Sequence, residues 1–294
     1  MADTASEYKA AIPLSLARCI IFTLTIATGS KHMELELKGH VALVQGASKG
    51  IGRGIAESLA AEGCELFLTA RTHDPLKQTA EEIAAKYGVR VRFHQADSAN
   101  LSEIPALLKI IETDMARLDI IVCNSGGPPA GGIRDLTPEQ WNEAGKLLLT
   151  APAYLLQRAL PLLRRSPAPR FFIVTSSSTR VPVAGLTLSN TFRPGIVGLI
   201  KSLTDELAAD RVCCHSIAPG RFDTDRLSHL IKVQSEKFQK TQDQVRNDMI
   251  SAIPAGRLGD VQDIGNLVAF LSSKKSDYLR GGNWLVDGGL VKGI

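Results

Sequence analysis

The sequence predicts a single α/β domain in which helices cover both faces of one seven-stranded parallel sheet. From Leu37 onward, short runs of β-branched and apolar residues alternate with longer segments of helical periodicity, a pattern typical of a doubly wound sheet. The length of 294 residues suits one such domain, and 44% hydrophobic with 22% charged residues indicates a large buried core. These values exclude disordered, collagen-like and coiled-coil proteins.

Seven apolar runs predict the strands of this sheet. After the first run, Ile51, Ile55 and Leu59 recur at helical spacing. The predicted strands are His40–Val44, Cys64–Leu68, Val89–Phe93, Asp119–Cys123, Arg170–Thr175, Val212–Ala218 and Asn283–Val286. In doubly wound sheets the ligand binds beyond the carboxyl ends of the strands, so the residues that follow each run are the candidate site residues.

The charged residues and the cysteines exclude several functional classes. Thirty-four Lys and Arg against 30 Asp and Glu give a net charge of +4, and no basic run is longer than two, so a nucleic-acid groove is not indicated. The five cysteines lack CxxC spacing and the six histidines lack ligand spacing, which argues against disulfides and against a metal site. A reducing compartment fits this pattern, and we expect a cytoplasmic protein.

Residues 1–36 differ from the rest of the chain. Their uncharged apolar span, Cys19 to Ser30, is shorter than the roughly 20 residues that a membrane helix needs. We expect a weakly ordered extension upstream of the domain, with Met33 as a possible second start. Lys9 and Arg18 before the apolar span leave a signal peptide as the alternative.

A glycine-rich turn follows the first predicted strand and opens a helix. It reads Gly46-Ala-Ser-Lys-Gly50-Ile-Gly52. Glycines are needed where a backbone takes positive φ and approaches a pyrophosphate, whose charge is then met by the N–H groups of the helix. The turn, including Ser48, Lys49 and Ile51, is therefore predicted to bind a dinucleotide, and a plain tight turn is the alternative.

The residues after the second strand indicate which dinucleotide is bound. A free ribose 2′-hydroxyl usually meets an acidic side chain at this point, whereas a 2′-phosphate favours an arginine. The sequence has Arg71 here and no acid, with Lys49 as a second cation. This favours NADP(H) over NAD(H), since a guanidinium binds phosphate with bidentate geometry. A solvated surface arginine is the alternative reading of Arg71.

Further motifs from Leu37 to Ile294 resemble the short-chain dehydrogenase/reductase family, which has a Rossmann fold. Asp97 matches the family acid that contacts adenine, and Cys123-Asn-Ser-Gly126 stands where the family has Asn-Asn-Ala-Gly. Pro219-Gly-Arg-Phe-Asp-Thr224 resembles its PGxxxT loop, whose threonine contacts the nicotinamide amide, and the C-terminal Trp284-Leu-Val-Asp-Gly-Gly289 resembles another landmark. The turn, Arg71 and the resemblance together predict a cofactor-binding set: Gly46, Ser48, Lys49, Gly50, Ile51, Gly52, Arg71, Asp97, Ser98, Asn124, Gly126, Arg193, Pro219, Gly220 and Thr224.

The resemblance also implies a catalytic site, from which this chain departs. The family uses Asn, Ser, Tyr and Lys, and Ser176 matches its serine. Ser189 and Arg193 stand where the family has its tyrosine and lysine, and Leu148 stands at the asparagine position. A serine hydroxyl is a poorer proton donor than a phenol, and arginine stays protonated, so the usual proton transfer cannot operate unchanged. Ser176, Ser189 or a bound water could carry the proton while Arg193 stabilises negative charge on the substrate oxygen.

Two functional hypotheses follow from these motifs. The Ser-Asn-x-x-Arg pattern beside Gly126-Gly-Pro-Pro129 is similar to a ketoacyl-reductase-like branch of the family, which implies an NADP(H)-dependent oxidoreductase. The replaced catalytic residues leave a catalytically impaired NADP(H)-binding sensor or scaffold as the alternative.

The sequence gives less about the substrate and the assembly. Val181, Val183 and Leu186 predict either a border for a hydrophobic ketone or an acyl thioester, or simple packing against the sheet. Residues 221–253 resemble the family's mobile lid. The resemblance also implies a homodimer or homotetramer built through helices at Trp141–Leu163 and Ser189–Ala208, and no membrane span is expected.

Overall fold

Seven parallel strands form one sheet in the order β3-β2-β1-β4-β5-β6-β7. The computed structural model describes residues 33–293, so the predictions for residues 1–32 lie outside the described residues. The strands are β1 Val41–Gln45, β2 Glu65–Ala70, β3 Val91–Gln95, β4 Ile120–Cys123, β5 Arg170–Val174, β6 Cys213–Pro219 and β7 Asn283–Val286. All seven predicted strands and the doubly wound parallel fold are confirmed, with ends shifted by at most two residues.

Helices follow the strands and cover both faces of the sheet. They are α1 Gly50–Ala61, α2 His73–Tyr87, α3 Ile104–Met115, α4 Pro138–Gly145, α5 Ala151–Leu163, α6 Thr187–Glu206, α7 Asp225–Phe238, α8 Gln242–Ser251 and α9 Val261–Ser272. Along β1, Ala42 and Val44 join the apolar cluster that includes α1, α2 and α9. Val41 and Leu43 join the cluster that includes α3, α5 and α6. This alternation follows from the two-residue period of a strand and gives the domain a core on each side of the sheet.

The predicted long helices are present with different ends. The first begins at Pro138, where the side chain of Thr137 and that of Gln140 form a capping box. A π-helical turn over Lys146–Thr150 then separates α4 from α5. Pro152 has no N–H to donate to the carbonyl of Leu148, which favours this wider turn. The second predicted helix, Ser189–Ala208, is observed as α6, Thr187–Glu206.

The predicted lid segment coincides with α7 and α8, which have a small core of their own. Leu227 and Ile231 of α7 pack with Val245 and Met249 of α8 and with Leu258. These side chains belong to neither of the two clusters on the sheet. That the segment moves as a lid stays a prediction.

Three findings concern residues 33–293 as a whole. No helix in this range is long and apolar enough to cross a membrane. No group of three or more His, Cys, Asp or Glu side chains in the same range could hold a metal ion. The thiols of Cys64, Cys123, Cys213 and Cys214 are buried, and burial raises the pKa of Cys214 to about 12.

A buried histidine on β6 makes the stability of the domain pH-dependent. Nδ1 of His215 lies 3.2 Å from Nε1 of Trp284 and 3.3 Å from the backbone nitrogen of Gly282, both of which are donors. Nδ1 therefore accepts, and the proton is on Nε2, which has no partner among the described residues. Burial, followed by the charges of Arg170 and Arg280, lowers the pKa of His215 to about 4.

We expect this histidine to destabilise the fold as the pH falls from about 6.5 to 4. In that window the unfolded chain binds a proton at His215 and the folded chain does not, at a cost of about 3 kcal/mol in the free energy of unfolding. Urea denaturation at pH 7 and pH 4.5 measures the loss in the parent protein and in His215→Gln, whose side-chain oxygen can still accept from Trp284. An equal loss in both proteins would contradict the assignment.

Candidate active site

The topology brings the predicted site residues to one edge of the sheet. Because all strands are parallel, the residues that follow β1, β2, β3, β4, β5 and β6 lie along the same carboxyl edge. From β1, the chain adds β2 and β3 on one side and β4 to β7 on the other, so the strand order reverses between the neighbours β1 and β4. In doubly wound sheets a crevice for ligands opens at this point. Gly46, Asn124 and Ser176 follow the three strands nearest this point.

The glycine-rich turn favours glycine at three positions, through positive φ or through close contacts. Gly46 and Gly50 have φ values of +62° and +56°, which favour glycine. A Cβ on Gly52 would lie 2.2 Å from the carbonyl oxygen of Gly46 and 2.7 Å from Nδ2 of Asn124. Helix α1 begins at Gly50 with no acidic residue in its first turn, so its free N–H groups can meet an anion. These features fit a bound pyrophosphate.

Other members of the predicted cofactor set support this turn. Nδ2 of Asn124 lies 3.3 Å from the carbonyl oxygens of both Gln45 and Gly46 and so ties the end of β4 to the end of β1. The carbonyl of Ser48 accepts from the hydroxyl of Thr79 at 3.0 Å, and Ile51 packs against the core. The turn is thus fixed by contacts on three sides.

The loop after β6 reaches the turn from the opposite side. The backbone nitrogen of Gly220, which follows Pro219, donates to the carbonyl of Val286 at 2.8 Å. Thr224 then precedes α7, and its Cγ2 would lie 3.5 Å from a Cβ placed on Gly50. The predicted PGxxxT loop therefore lies next to the first residue of α1.

The residues predicted to meet the adenosine half lie at the ends of β2 and β3. Arg71 is exposed, and within residues 33–293 no carboxylate pairs with it. Asp97 is exposed, with one carboxylate oxygen accepting from the backbone nitrogen of Ala99 at 3.0 Å, while Ser98 lines a small cavity beside Asn124. Nζ of Lys49 lies 2.8 Å from the carboxylate of Asp225, so this second cation is engaged by α7.

Ser189 and Arg193 form a buried hydrogen-bonded pair one turn apart on α6. Nε of Arg193 donates to Oγ of Ser189 at 3.1 Å, and Nη1 donates to the carbonyl of Val174 at 3.1 Å. Oγ of Ser189 also lies 3.2 Å from Oγ of Ser178. Because the guanidinium already donates to Ser189, the hydroxyl proton of Ser189 is directed at Ser178 or at a group in the cleft.

Ser178 is a member of this site that the sequence does not reveal. The family resemblance selects Ser176, the first of three consecutive serines, and gives no signal for the third. In the structure Ser176 is half-buried, and its Oγ accepts from the backbone nitrogen of Ser178 at 3.2 Å. A short 3₁₀ turn over Ser177–Thr179 then places the hydroxyl of Ser178 beside that of Ser189.

No carboxylate of residues 33–293 neutralises the positive charge of Arg193. Burial, and then the positive charge of Arg226, lower the pKa of Arg193 to about 10, so the guanidinium is protonated at neutral pH. No acidic side chain within 33–293 forms an ion pair with it. A buried, unneutralised cation beside two hydroxyls favours negative charge on a nearby oxygen.

The neighbouring surfaces are apolar. Leu148, at the position of the family asparagine, is buried in the π-helical turn and lines the same small cavity as Asn124 and Ile173. Val181 and Val183 are 43% and 39% exposed, so the alternative of packing against the sheet is wrong for these two valines, whereas Leu186 is half-buried. Their loop is held to the loop after β4, because the backbone nitrogen of Gly131 donates to the carbonyl of Gly185 at 2.8 Å.

Comparison with known proteins places this site in a family. The profile of the family described as Enoyl-(Acyl carrier protein) reductase matches residues 46–291. The chain is 30% identical to D-beta-hydroxybutyrate dehydrogenase of Cupriavidus necator over 87% of its length and 99% of the relative's. It is also 30% identical to 3-oxoacyl-(acyl-carrier-protein) reductase of Aquifex aeolicus, over 88% of this chain and all of the relative.

A solved structure agrees with these relatives. L-sorbose reductase from Gluconobacter frateurii, crystallised with NADPH and L-sorbose, superposes with a TM-score of 0.85 at 25% identity, over 89% of this chain and all of that one. Its fold, the matched profile and the relatives agree with the glycine turn and the strand order described above. The chain therefore belongs to the short-chain dehydrogenase/reductase family of oxidoreductases.

Proposed function

We propose that this protein transfers hydride between NADP(H) and a carbonyl or alcohol group of a hydrophobic ketone or ketoacyl substrate. The observation that carries the proposal is the hydrogen-bonded series Ser178–Ser189–Arg193 at the end of β5, on the same edge of the sheet as the glycine turn. Relatives named as a 3-oxoacyl-(acyl-carrier-protein) reductase and a hydroxybutyrate dehydrogenase support the substrate class. A cytoplasmic homodimer or homotetramer is part of the proposal.

The residues present fit the cofactor. Gly46, Gly50 and Gly52 leave backbone N–H groups for the pyrophosphate. We expect Asp97, after β3, to meet the adenine and Arg71, after β2, to meet a 2′-phosphate. Reduced nicotinamide supplies a hydride when bound. The protein must then supply the proton that converts the carbonyl oxygen into a hydroxyl.

Ser176, Ser189 and Arg193 have different roles in supplying this proton, and the hydrogen bonds of each side chain indicate its role. Ser176 accepts a hydrogen bond through Oγ and keeps its own proton free, so it can donate to the substrate oxygen and orient it. Ser189 gives up its hydroxyl proton to that oxygen and regains one through Ser178 or solvent. Arg193 stabilises the negative charge on Ser189 and on the substrate oxygen during this exchange.

Turnover and the two serine variants test the proposal. NADPH oxidation is followed by absorbance at saturating cofactor with a panel of hydrophobic ketones and β-ketoacyl thioesters. We expect Ser176→Ala to lower kcat by roughly 100-fold, the cost of losing one oxyanion donor. Ser178→Ala should lower kcat by only about 10-fold, because Ser178 acts through Ser189, and both variants should bind NADPH normally by Trp fluorescence. The reverse order would assign the substrate contact to Ser178.

The cofactor preference depends on Arg71. Replacing a bidentate phosphate contact with a carboxylate in Arg71→Asp should raise the Kd of NADPH by roughly 10- to 100-fold and leave that of NADH the same or lower. Arg92→Gln, which removes an exposed guanidinium from the neighbouring strand β3, is the matched control and should change neither value. Equal losses for both cofactors in Arg71→Asp would show that this arginine does not bind the 2′-phosphate.

The replaced residues favour a second candidate, an NADP(H)-binding sensor or scaffold. Ser189, Arg193 and Leu148 remove the phenol, the lysine and the amide of the family, and Leu148 makes the wall of the nearby cavity apolar. Tight NADPH binding without turnover on any member of the substrate panel would support this candidate over the first.

A further inference from the structure

Three acidic residues of the lid segment pair with nearby cations, but none of the acidic residues between 33 and 293 pairs with Arg226 of α7. Lys49 pairs with Asp225 at 2.8 Å, Arg246 with Asp223 at 2.6 Å, and Lys240 with Asp248 at 2.6 Å. Arg226 directly follows Asp225 along the chain. Among residues 33–293 its side chain forms neither an ion pair nor a hydrogen bond.

The guanidinium of Arg226, whose residue is exposed, lies against the loop that follows β4. A Cβ placed on Gly127 would be 2.3 Å from Nη2 and 2.4 Å from Nη1 of Arg226. The arginine therefore occupies the space that a side chain at position 127 would fill. Gly127 is three residues beyond Asn124, which borders the glycine turn.

The last loop residue before α7 and the second residue of α7 contact different parts of the site. Thr224 approaches Gly50 at the pyrophosphate end, whereas Arg226, two residues later, covers Gly127. The charge of Arg226 also acts on Arg193, which hydrogen-bonds to Ser189. Arg226 is thus directed at the reacting end of the crevice.

The charges of Arg193 and Arg226 act on each other, and neither side chain forms an ion pair with a carboxylate of residues 33–293. Nε and Nη1 of Arg193 make its two hydrogen bonds, and its Nη2 has no partner within the described part of the chain. Like charges repel, and an anion bound between them removes that cost. A carboxylate also matches the planar fork of an arginine.

We propose that Arg226, with the charge of Arg193 behind it, binds a carboxylate of the substrate itself, so that the substrate is a free oxo acid or hydroxy acid. This rests on the proposed carbonyl chemistry and narrows it. The phosphate of an acyl-carrier arm is many bonds from the thioester carbonyl, so it cannot reach a cation beside the reacting serines. A carboxylate one or two carbons from the carbonyl can.

Binding to the oxidised-cofactor complex tests this without requiring turnover. Calorimetry measures the Kd of medium-chain 3-oxo acids and of their methyl esters on the full-length protein saturated with NADP⁺. We expect the acid to bind roughly 10- to 100-fold more tightly than its ester, a ratio that Arg226→Gln reduces to near one, since a hydrogen bond to a charged group is lost. Arg226→Lys should keep part of the preference.

Lys232→Gln is the matched control, because Lys232 is an exposed cation on the same helix. It should leave the acid-to-ester ratio unchanged. An equal loss of acid and ester affinity in Arg226→Gln, or a matching loss of NADP⁺ affinity, would overturn the proposal and assign Arg226 to packing or to the cofactor phosphates.

Failure of this inference and failure of the proposed function give different results. Turnover of neutral ketones with no preference for acids leaves the reductase in place and rejects the carboxylate site. Acid binding that depends on Arg226, without NADPH oxidation, supports the carboxylate site and rejects the reductase.

Discussion

Arg193→Gln should lower kcat by roughly 1000-fold, the upper range for loss of a preorganised donor to a developing oxyanion. The variant removes the only buried cation that hydrogen-bonds to Ser189 within residues 33–293 and leaves a shorter, neutral side chain. The measurement is NADPH oxidation on the best substrate of the panel, with NADPH affinity and circular dichroism measured in parallel. A variant that binds NADPH and keeps more than a tenth of the parent kcat would contradict the assigned role.

The dependence of the rate on pH distinguishes the effect of the charge at position 193 from the effect of the shape of the side chain. With a pKa of about 10, Arg193 is protonated throughout the range from pH 6 to 9, so it contributes no loss of rate there in the parent protein. A lysine in this buried position has its pKa lowered further by desolvation. We therefore expect Arg193→Lys to retain activity at pH 6 and to lose it on the alkaline side within that range.

Gly52→Ala should weaken NADPH binding by roughly 100-fold or more, because a displacement of about 1 Å in a binding turn costs that much. The new Cβ would lie 2.2 Å from the carbonyl oxygen of Gly46, a backbone atom that cannot move without shifting the turn. Overpacking at this point also costs about 1–3 kcal/mol in the free energy of unfolding. Fluorescence titration and urea denaturation measure the two effects.

Gly198→Ala is the control for the same substitution in another helix. Gly198 lies in the interior of α6, is exposed, and has nothing within 4 Å of its Cβ position. The change should stabilise the protein by up to about 1 kcal/mol through helix propensity and leave NADPH affinity unchanged. Similar NADPH affinity in both variants would show that the close approach of Gly52 and Gly46 does not matter for the cofactor.

The sequence pattern and the family resemblance together were sufficient to predict the fold, and they also supplied the residues proposed to bind the cofactor. Short continuous apolar strands, helices with one apolar stripe and a glycine turn are local patterns that sequence reasoning can recognise. The topological rules of parallel sheets then place Gly46, Asn124 and Ser176 at one edge. For this reason the seven strands were predicted to within two residues.

The positions of Ser178 and Arg226 in the proposed site could be found only from the tertiary structure. Ser178 and Arg226 carry no sequence signal, since one is the third of three serines and the other is one cation among several on a polar helix. Only packing shows that a 3₁₀ turn lowers Ser178 onto Ser189 and that Gly127 leaves space for a guanidinium. The sequence by itself determined the fold, the glycine turn and the replacement of the family's catalytic residues, because these depend on local chain chemistry. Which hydroxyls and charges meet was decided by contacts between residues distant in the chain, and only the tertiary structure provides those.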